Sequence, residues 1–552
     1  MSMMLKASNS NGPLDIDLSV TRFSNATTSK WKLSKSLLPG FLSPVSSLHK
    51  KSSAALASEN AELTIGPNSP TGPVPLTSLP HTSIIAHAPG WTLFRNLYMS
   101  GGTLLIVTPS NNSFPQLRMM TSPGYPIDNT PENIARREPT AEHMDFLTPE
   151  QADQRWKTSS TAYRVWSIKG NTILFNEASQ FLHHYFHFVA ELLFGTWAFW
   201  YGAFTKPSPD LSLSLSFSDA PSPPPIHRLI FTHSDADGWR DVPGFDSYFL
   251  RAVFPHVTVE DKRSWADLIS STSARSSDPA SHRAWHFPLV LLADRSAASR
   301  GTVGGVQTHR IAAEAWQYMF TEKKLIGVHA ARWWDPLRIA MWKFAAVDGA
   351  DALNWMKQSF PRQGITAKAD EEIIPSYVRQ GVFQEFLPPP QKVTITYITR
   401  QNGDRRRLLP EAHDDLVLSI SGLVARKKLE GHEWAFRVVD AGRLSRDEQI
   451  RVAAETTIML GIHGNGLTHL AFMPPTRVST VIEIFYPGGF ARDYQWTATA
   501  MGMKHFSVWN DTYYVLPAEP TVAYPPGFQE SSIPAHGATI AKLIEDRVDG
   551  KI

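Results

Sequence analysis

Cysteine is absent from the 552-residue chain. Disulfides, thiolate metal sites and a cysteine nucleophile are thereby excluded. The compartment is not, because a large core needs no staples. Neither sign of charge dominates: 53 Lys+Arg face 51 Asp+Glu, a net charge of +2. No basic surplus points to nucleic acid as a partner. The N-terminus has no apolar run of signal-peptide or membrane-anchor length. Residues 1–80 instead carry sixteen serines, so they read as a disordered stem or tail. Residues 531–552 read as a second tail. Against these absences stand 42% hydrophobic residues and 17 tryptophans, enough for a sizeable core. The length then implies about three folded units, or two large ones plus tails.

One apolar run stands out. Residues 186–204, FHFVAELLFGTWAFWYGAF, approach the length that spans a bilayer. His187 and Glu191 lie inside it, and ionised groups are costly in lipid. The reading is therefore a buried helix, with a membrane span as the alternative. Elsewhere, short apolar runs alternate with polar helix-like stretches. TLLIV (103–107), HRLIFTH (227–233), FPLVLLADR (287–295), VTITYITR (393–400), FRVVDAG (436–442), TIMLGIHG (457–464) and VIEIFY (481–486) read as strands. Lys169–Phe175 reads as another, leading into a helix near Glu177. Alternation of this kind predicts parallel βαβ units. Serine- and proline-rich stretches at 207–225 and 270–281 predict exposed loops. The prolines at 388–390 mark an internal boundary, giving α/β lobes at 81–390 and 391–530.

Four groups of residues could carry chemistry. In Gly461-Ile462-His463-Gly464-Asn465-Gly466 an apolar run ends in a glycine turn, and a helix is predicted from about Leu467. Such a turn offers backbone N–H groups to an anion. An ordinary strand-to-helix turn is the plainer alternative. Arg400 closes a buried strand, at the edge where open α/β sheets bind ligands. With Arg406 or Arg407 it could grip phosphate oxygens, leaving Arg405 as a surface charge. His183, His187 and Glu191 share one helical face, so they could form an acid/base group or ligate zinc. Glu483 sits mid-strand among β-branched residues and needs a partner there, either a sugar or ribose hydroxyl or an arginine.

Taken together, these segments resemble glycosyltransferase family 61. HGNGLTHLAFMPP followed by VIEIFYPGGF resembles its C-terminal signature. Tyr397-Ile398-Thr399-Arg400 with Arg406-Arg407 resembles its arginine block, and His184-Tyr185-Phe186-His187-Phe188 with Glu191 resembles its histidine–aromatic block. Three positions depart from the usual pattern: His184, Asn465 and His469. The low-complexity insertions are in the style of a fungal member. The resemblance implies a GT-B-like α/β fold of two facing Rossmann-like lobes. It also implies inverting transfer from a UDP-sugar to a glycan or glycoprotein, with no obligatory metal or other cofactor. Carried over by position, Arg400, Arg406, Arg407, His463, Gly464, Asn465, Gly466, Thr468 and Glu483 would surround the donor. His187 and Glu191 would be catalytic, His187 as base and Glu191 as its orienting partner. Work in the secretory pathway is implied too, with membrane association through an anchor not visible here. Asn25, Asn111 and Asn510 head N-x-S/T sequons, which fit a lumenal protein. Two other readings stay open: a non-catalytic nucleotide- or glycan-binding relative, and a zinc hydrolase built on His183, His187 and Glu191.

Overall fold

A computed structural model describes residues 75–160, 162–205, 223–273, 281–322, 324–325, 332–348, 384, 387, 389–530 and 532–552. Residues 1–74 of the expected stem and 207–222 of the expected insertion lie outside the described residues. The folded chain is under way by Leu76, whose N–H donates to Val165 O at 2.9 Å.

The chain is α/β, with a large sheet in each lobe. In the N-terminal lobe the apolar runs form a nine-stranded sheet. Its parallel part runs, side by side, Thr258–Glu260, Arg228–His233, Thr172–Ala178 and Ala284–Ala293. In chain order that is 3-2-1-4, so the topology reverses between Thr172–Ala178 and Ala284–Ala293. Trp91–Ser100 then adds antiparallel to Ala284–Ala293 and extends the sheet through Thr103–Val107 and Met144–Leu147. Leu229, Ile230 and Phe231 are all buried, as expected of a parallel strand covered on both faces. Glu177 belongs to a strand here rather than opening a helix. The following helix starts only at Phe186, after a turn.

The C-terminal sheet has six strands in the order Trp434–Val439, Val393–Ile398, Ile458–Ile462, Thr480–Ile484, Lys504–Trp509 and Thr512–Tyr514. All neighbours are parallel except the last pair. This order also reverses, between Val393–Ile398 and Ile458–Ile462. Residues 531–552 are not a tail. The helix Gly537–Val548 buries Ile540, Leu543 and Ile544 in the core formed with the helix Pro410–Leu429. Their i, i+3, i+4 spacing was a legible signal for it.

The apolar run at 186–204 is a core helix. Phe186–Leu193 is wound as a π-helix, and Phe194–Ala203 continues as an α-helix. Every residue from Phe188 to Gly202 is buried, as a helix apolar on all sides requires. Among the described residues no helix is long and apolar enough to cross a membrane. Gly195 lets Trp91 and the helix Ile311–Thr321 approach: a Cβ there would lie 2.7 Å from the Trp91 ring and 3.1 Å from Ala312 Cα. The same core continues into the C-terminal lobe. The indole N–H groups of Trp333, Trp334 and Trp342 donate to the carbonyls of Ala500, Ala471 and Phe472 at 3.2, 3.0 and 2.9 Å. The lobes are thus joined by shared apolar packing, with the indole donors satisfied across the junction.

Asp246, in the helix Phe245–Val253, is fully buried, and neither carboxylate oxygen has a hydrogen-bond partner among the described residues. Burial, reinforced by nearby Asp241, pushes its carboxyl up to about 9. An unfolded Asp titrates near about 4. Between those values the folded chain holds the extra proton, so stability falls as pH rises. Asp246→Asn should remove this slope. Melting temperatures measured from pH 4 to 9 should show the variant gaining on the parent as pH increases. Parallel curves would show that the carboxylate is satisfied.

Candidate functional site

The strand Val393–Ile398 ends two residues before Arg400, and Ile458–Ile462 runs into His463 and Gly464. These are the carboxyl ends flanking the C-terminal switch, where open sheets leave a crevice. A cavity of about 410 Å³ lies there, lined by Thr399, Arg400, Asp440, Ile462 and Gly466 among others. A Cβ on Gly464 would sit 2.5 Å from Arg400 Nη1 and 3.6 Å from Arg406 Nη1, so the two guanidiniums converge above this glycine. Its φ of +153° also disfavours a side chain.

Neither Arg400 nor Arg406 forms an ion pair among the described residues. The Nε of each is buried without an acceptor. Burial lowers both pKa values, and the charge of Arg406 lowers that of Arg400 further. Two desolvated like charges with idle donors call for an anion. Arg406 reaches this place from a left-handed backbone conformation (φ +55°), with its N–H donating to Glu530 O at 3.0 Å. Arg405 and Arg407 are exposed. Arg407 serves the fold through its carbonyl, which accepts from Ile533 N at 3.1 Å.

Glu483 lies beneath His463. One carboxylate oxygen meets His463 Nδ1 at 2.5 Å and the other meets His505 Nε2 at 2.7 Å. The sequence reading offered a hydroxyl or an arginine as partner; both oxygens are taken by histidines. Burial pushes Glu483 well up and lowers His463 to about 4 and His505 to about 3. The trio therefore favours neutral forms. Glu483 fixes the imidazole plane and leaves Nε2 of His463 free of this bond.

The N-terminal switch presents a different arrangement. Glu177 is near the end of its strand, and Arg295 follows the end of Ala284–Ala293. Arg295 Nε donates to Glu177, and its Nη1 donates to Glu191 at 2.7 Å. Glu191 also takes His187 Nδ1 at 2.7 Å and the Ile311 N–H at 3.2 Å. Burial opposes ionisation of Glu191, but the Arg295 charge and the His187 bond outweigh it and hold its carboxyl well below the usual range. An ionised Glu191 keeps the Nδ1 of His187 as donor, so Nε2 is the nitrogen able to take a proton. His187 is the accessible member, with its side chain 21% exposed. His183 is exposed and, among the described residues, bonds Ser179 O at 3.2 Å. Among the described residues no three His, Cys, Asp or Glu side chains are arranged to hold a metal.

Contacts between the lobes bring the two arrangements together. Asn465 Oδ1 accepts from the Phe186 N–H at 3.2 Å and from Thr468 Oγ1 at 3.3 Å. His469 Nδ1 meets the Tyr185 hydroxyl at 3.3 Å, and its Nε2 meets Gln449 at 2.8 Å. Arg310 pairs with Asp493 at 2.6 Å. The sequence reading missed Glu177, Arg295, Arg310, Asp493 and His505. Arg295 was within reach, because FPLVLLADR ends in an arginine at a strand's carboxyl edge, as VTITYITR does.

A family model described as Glycosyltransferase 61 matches residues 185–482, more than half of the chain. The EGF domain-specific O-linked N-acetylglucosamine transferase of Drosophila melanogaster is 35% identical over 89 residues, which cover 16% of this chain and 15% of that protein.

Removing Arg295 would leave Glu177 and Glu191 buried without their shared cation. Arg295→Met should cost about 3–5 kcal/mol of stability at pH 7, the range for breaking one side of a buried pair. The loss should shrink in acid as the carboxylates take up protons. Urea denaturation at pH 7 and 5 checks both statements, and an unchanged midpoint would remove Arg295 from this role.

Proposed function

The chain belongs to glycosyltransferase family 61, and from that premise we propose that it is an inverting transferase moving a sugar from a UDP-sugar to a hydroxyl of a glycan or glycoprotein. The observation that carries this reading is the convergence of Arg400 and Arg406 above Gly464, with both Nε atoms buried and unpaired. A diphosphate is the kind of anion that fits two guanidiniums at a sheet's switch point. The two lobes are consistent with a GT-B-like arrangement, in which the donor would bind on the C-terminal side and the acceptor on the side of His187.

The chemistry then follows from the side chains. The acceptor oxygen attacks the anomeric carbon, and the bond from that carbon to the β-phosphate oxygen breaks. His187 Nε2 takes the acceptor's proton, and Glu191, held ionised by Arg295, stabilises the resulting imidazolium. The charge that grows on the departing UDP falls on Arg400, Arg406 and the turn at 464–466. A single displacement inverts the anomeric centre. Two arginines supply the positive charge that a divalent ion supplies elsewhere, so the reading requires no metal. Asn465 and His469, which depart from the usual motif, bond the lobes together and leave Arg400, Arg406 and His187 unencumbered, which favours a catalytic over a decayed chain. The exposed sequon residues Asn111 and Asn510 suit a protein of the secretory lumen.

Arg400→Ala and Arg406→Ala should each weaken UDP binding by about 1.5–3 kcal/mol, as for hydrogen bonds to charged groups. Calorimetric titration of folded variants reads this directly, and unaltered affinity would take the residue out of the site. His187→Ala should lower kcat by about 10²–10⁴ with UDP affinity retained. Full activity in that variant would place the base elsewhere. Turnover should also persist in EDTA; a loss restored by added metal would refute the arginine-based account.

A further inference from the structure

A second cavity, of about 370 Å³, opens beside His187. Its volume lies in the usual range for small-molecule sites, about 300–1,000 Å³. Glu191, 2% exposed, marks its buried part, and Arg118, 49% exposed, marks its open part. Arg295 and Arg310 line it too, but each is neutralised, by Glu177 with Glu191 and by Asp493. Arg118, Arg137 and Arg300 are not balanced in that way. Among the described residues Glu138 is the carboxylate in direct contact with this group, 2.9 Å from Arg118 and 3.4 Å from Arg300.

The remaining partners of these arginines are neutral. Arg137 donates to Asn133 Oδ1 and Ser296 Oγ at 2.8 Å each and to the Asp128 carbonyl at 3.3 Å. Arg300 donates to the carbonyls of Arg118 and Arg137, both at 2.6 Å. Carbonyls orient a guanidinium without cancelling its charge. Three cations share one carboxylate in direct contact, while Asp294, which acts on Arg137 and Arg300 from further off, is itself buried and held by Ser122, Asn176 and the Ala297 N–H, so this wall of the cavity keeps a positive character. Burial lowers the pKa of Arg137 and of Arg300 and outweighs the opposing pull of Asp294 and Glu138 on both and of Asp128 on Arg137.

We propose that this cavity is the acceptor subsite and that it selects an acceptor sugar bearing an anionic substituent, a phosphate or a carboxylate, which faces Arg118, Arg137 and Arg300 while a neutral hydroxyl faces His187. This rests on the transferase reading above. The neutralised arginines hold the base in place, and the unbalanced ones read the substrate.

Calorimetric titrations of the whole chain with UDP saturating the nucleotide site test this. The probes are glucose 6-phosphate, glucuronate and glucose. One or both anionic sugars should bind at least about tenfold tighter than glucose, the lower end for a hydrogen bond to a charged group. Which of them binds tighter identifies the substituent. Arg118→Gln should erase most of that preference and Arg118→Lys should keep part of it; both changes are at a half-exposed position that folding tolerates. Equal affinity for all three sugars, or an undiminished preference in Arg118→Gln, overturns the subsite. UDP titration of the parent chain, run alone, reports separately on the transferase reading.

Discussion

A helix that is apolar around its whole circumference has to be covered on every side, and in this chain covering the segment Phe186–Ala203 organises both lobes. Each fully buried Phe or Leu side chain contributes about 1.5–3 kcal/mol relative to exposure. No single sheet can enclose such a rod. The strand Trp91–Ser100, the helix Ile311–Thr321 and the tryptophans at 333, 334 and 342 share the task with residues 467–473 of the other lobe. The start of the rod is therefore pinned where the lobes meet. His187 and Glu191 are there because the helix that carries them cannot be elsewhere. Its first two turns are π-wound, an irregularity often found at functional sites.

The arginines divide by what balances them. Arg295 and Arg310 are paired with carboxylates and act as parts of the scaffold: one fixes Glu191, the other ties the lobes through Asp493. Arg400 and Arg406 pair with no carboxylate among the described residues, and the Nε of each is buried without an acceptor there. Desolvating a charge without a partner is costly. The fold tolerates that cost at the carboxyl edge of a switched sheet, where an anionic ligand can return it. The same logic separates Glu191 from Glu483. The first is held ionised by a guanidinium; the second is buried between imidazoles, where neutral forms win.

Asn465 and His469 show how a departure from a family pattern can have a structural role. Asn465 accepts the Phe186 N–H, and His469 meets Tyr185. Both bonds reach the segment that delivers His187. The glycine turn thus has Arg400 and Arg406 close over one side and hydrogen bonds to the opposite lobe on the other.

Much of the fold could be read from the chain itself. Apolar runs bounded by polar residues located the parallel strands, and a run ending in Arg400 marked a sheet's carboxyl edge. The glycine spacing at 461–466 marked a turn that something must approach closely, and that is Arg400. Those features are local, set by periodicity and backbone sterics over a few residues. Local sequence did not reveal which of three adjacent arginines turns inward. Arg406 does so because a left-handed residue at 406 aims it over Gly464, while Arg407 points to solvent. Nor did it reveal that Glu177 and Glu191, 14 residues apart, share the guanidinium of Arg295 more than a hundred residues further on. The histidine partners of Glu483 come from the two neighbouring strands, His463 just past the end of Ile458–Ile462 and His505 near the start of Lys504–Trp509. Such pairings depend on strand order, which brings distant residues to one edge. That order is decided by how the apolar faces of the whole chain are buried together.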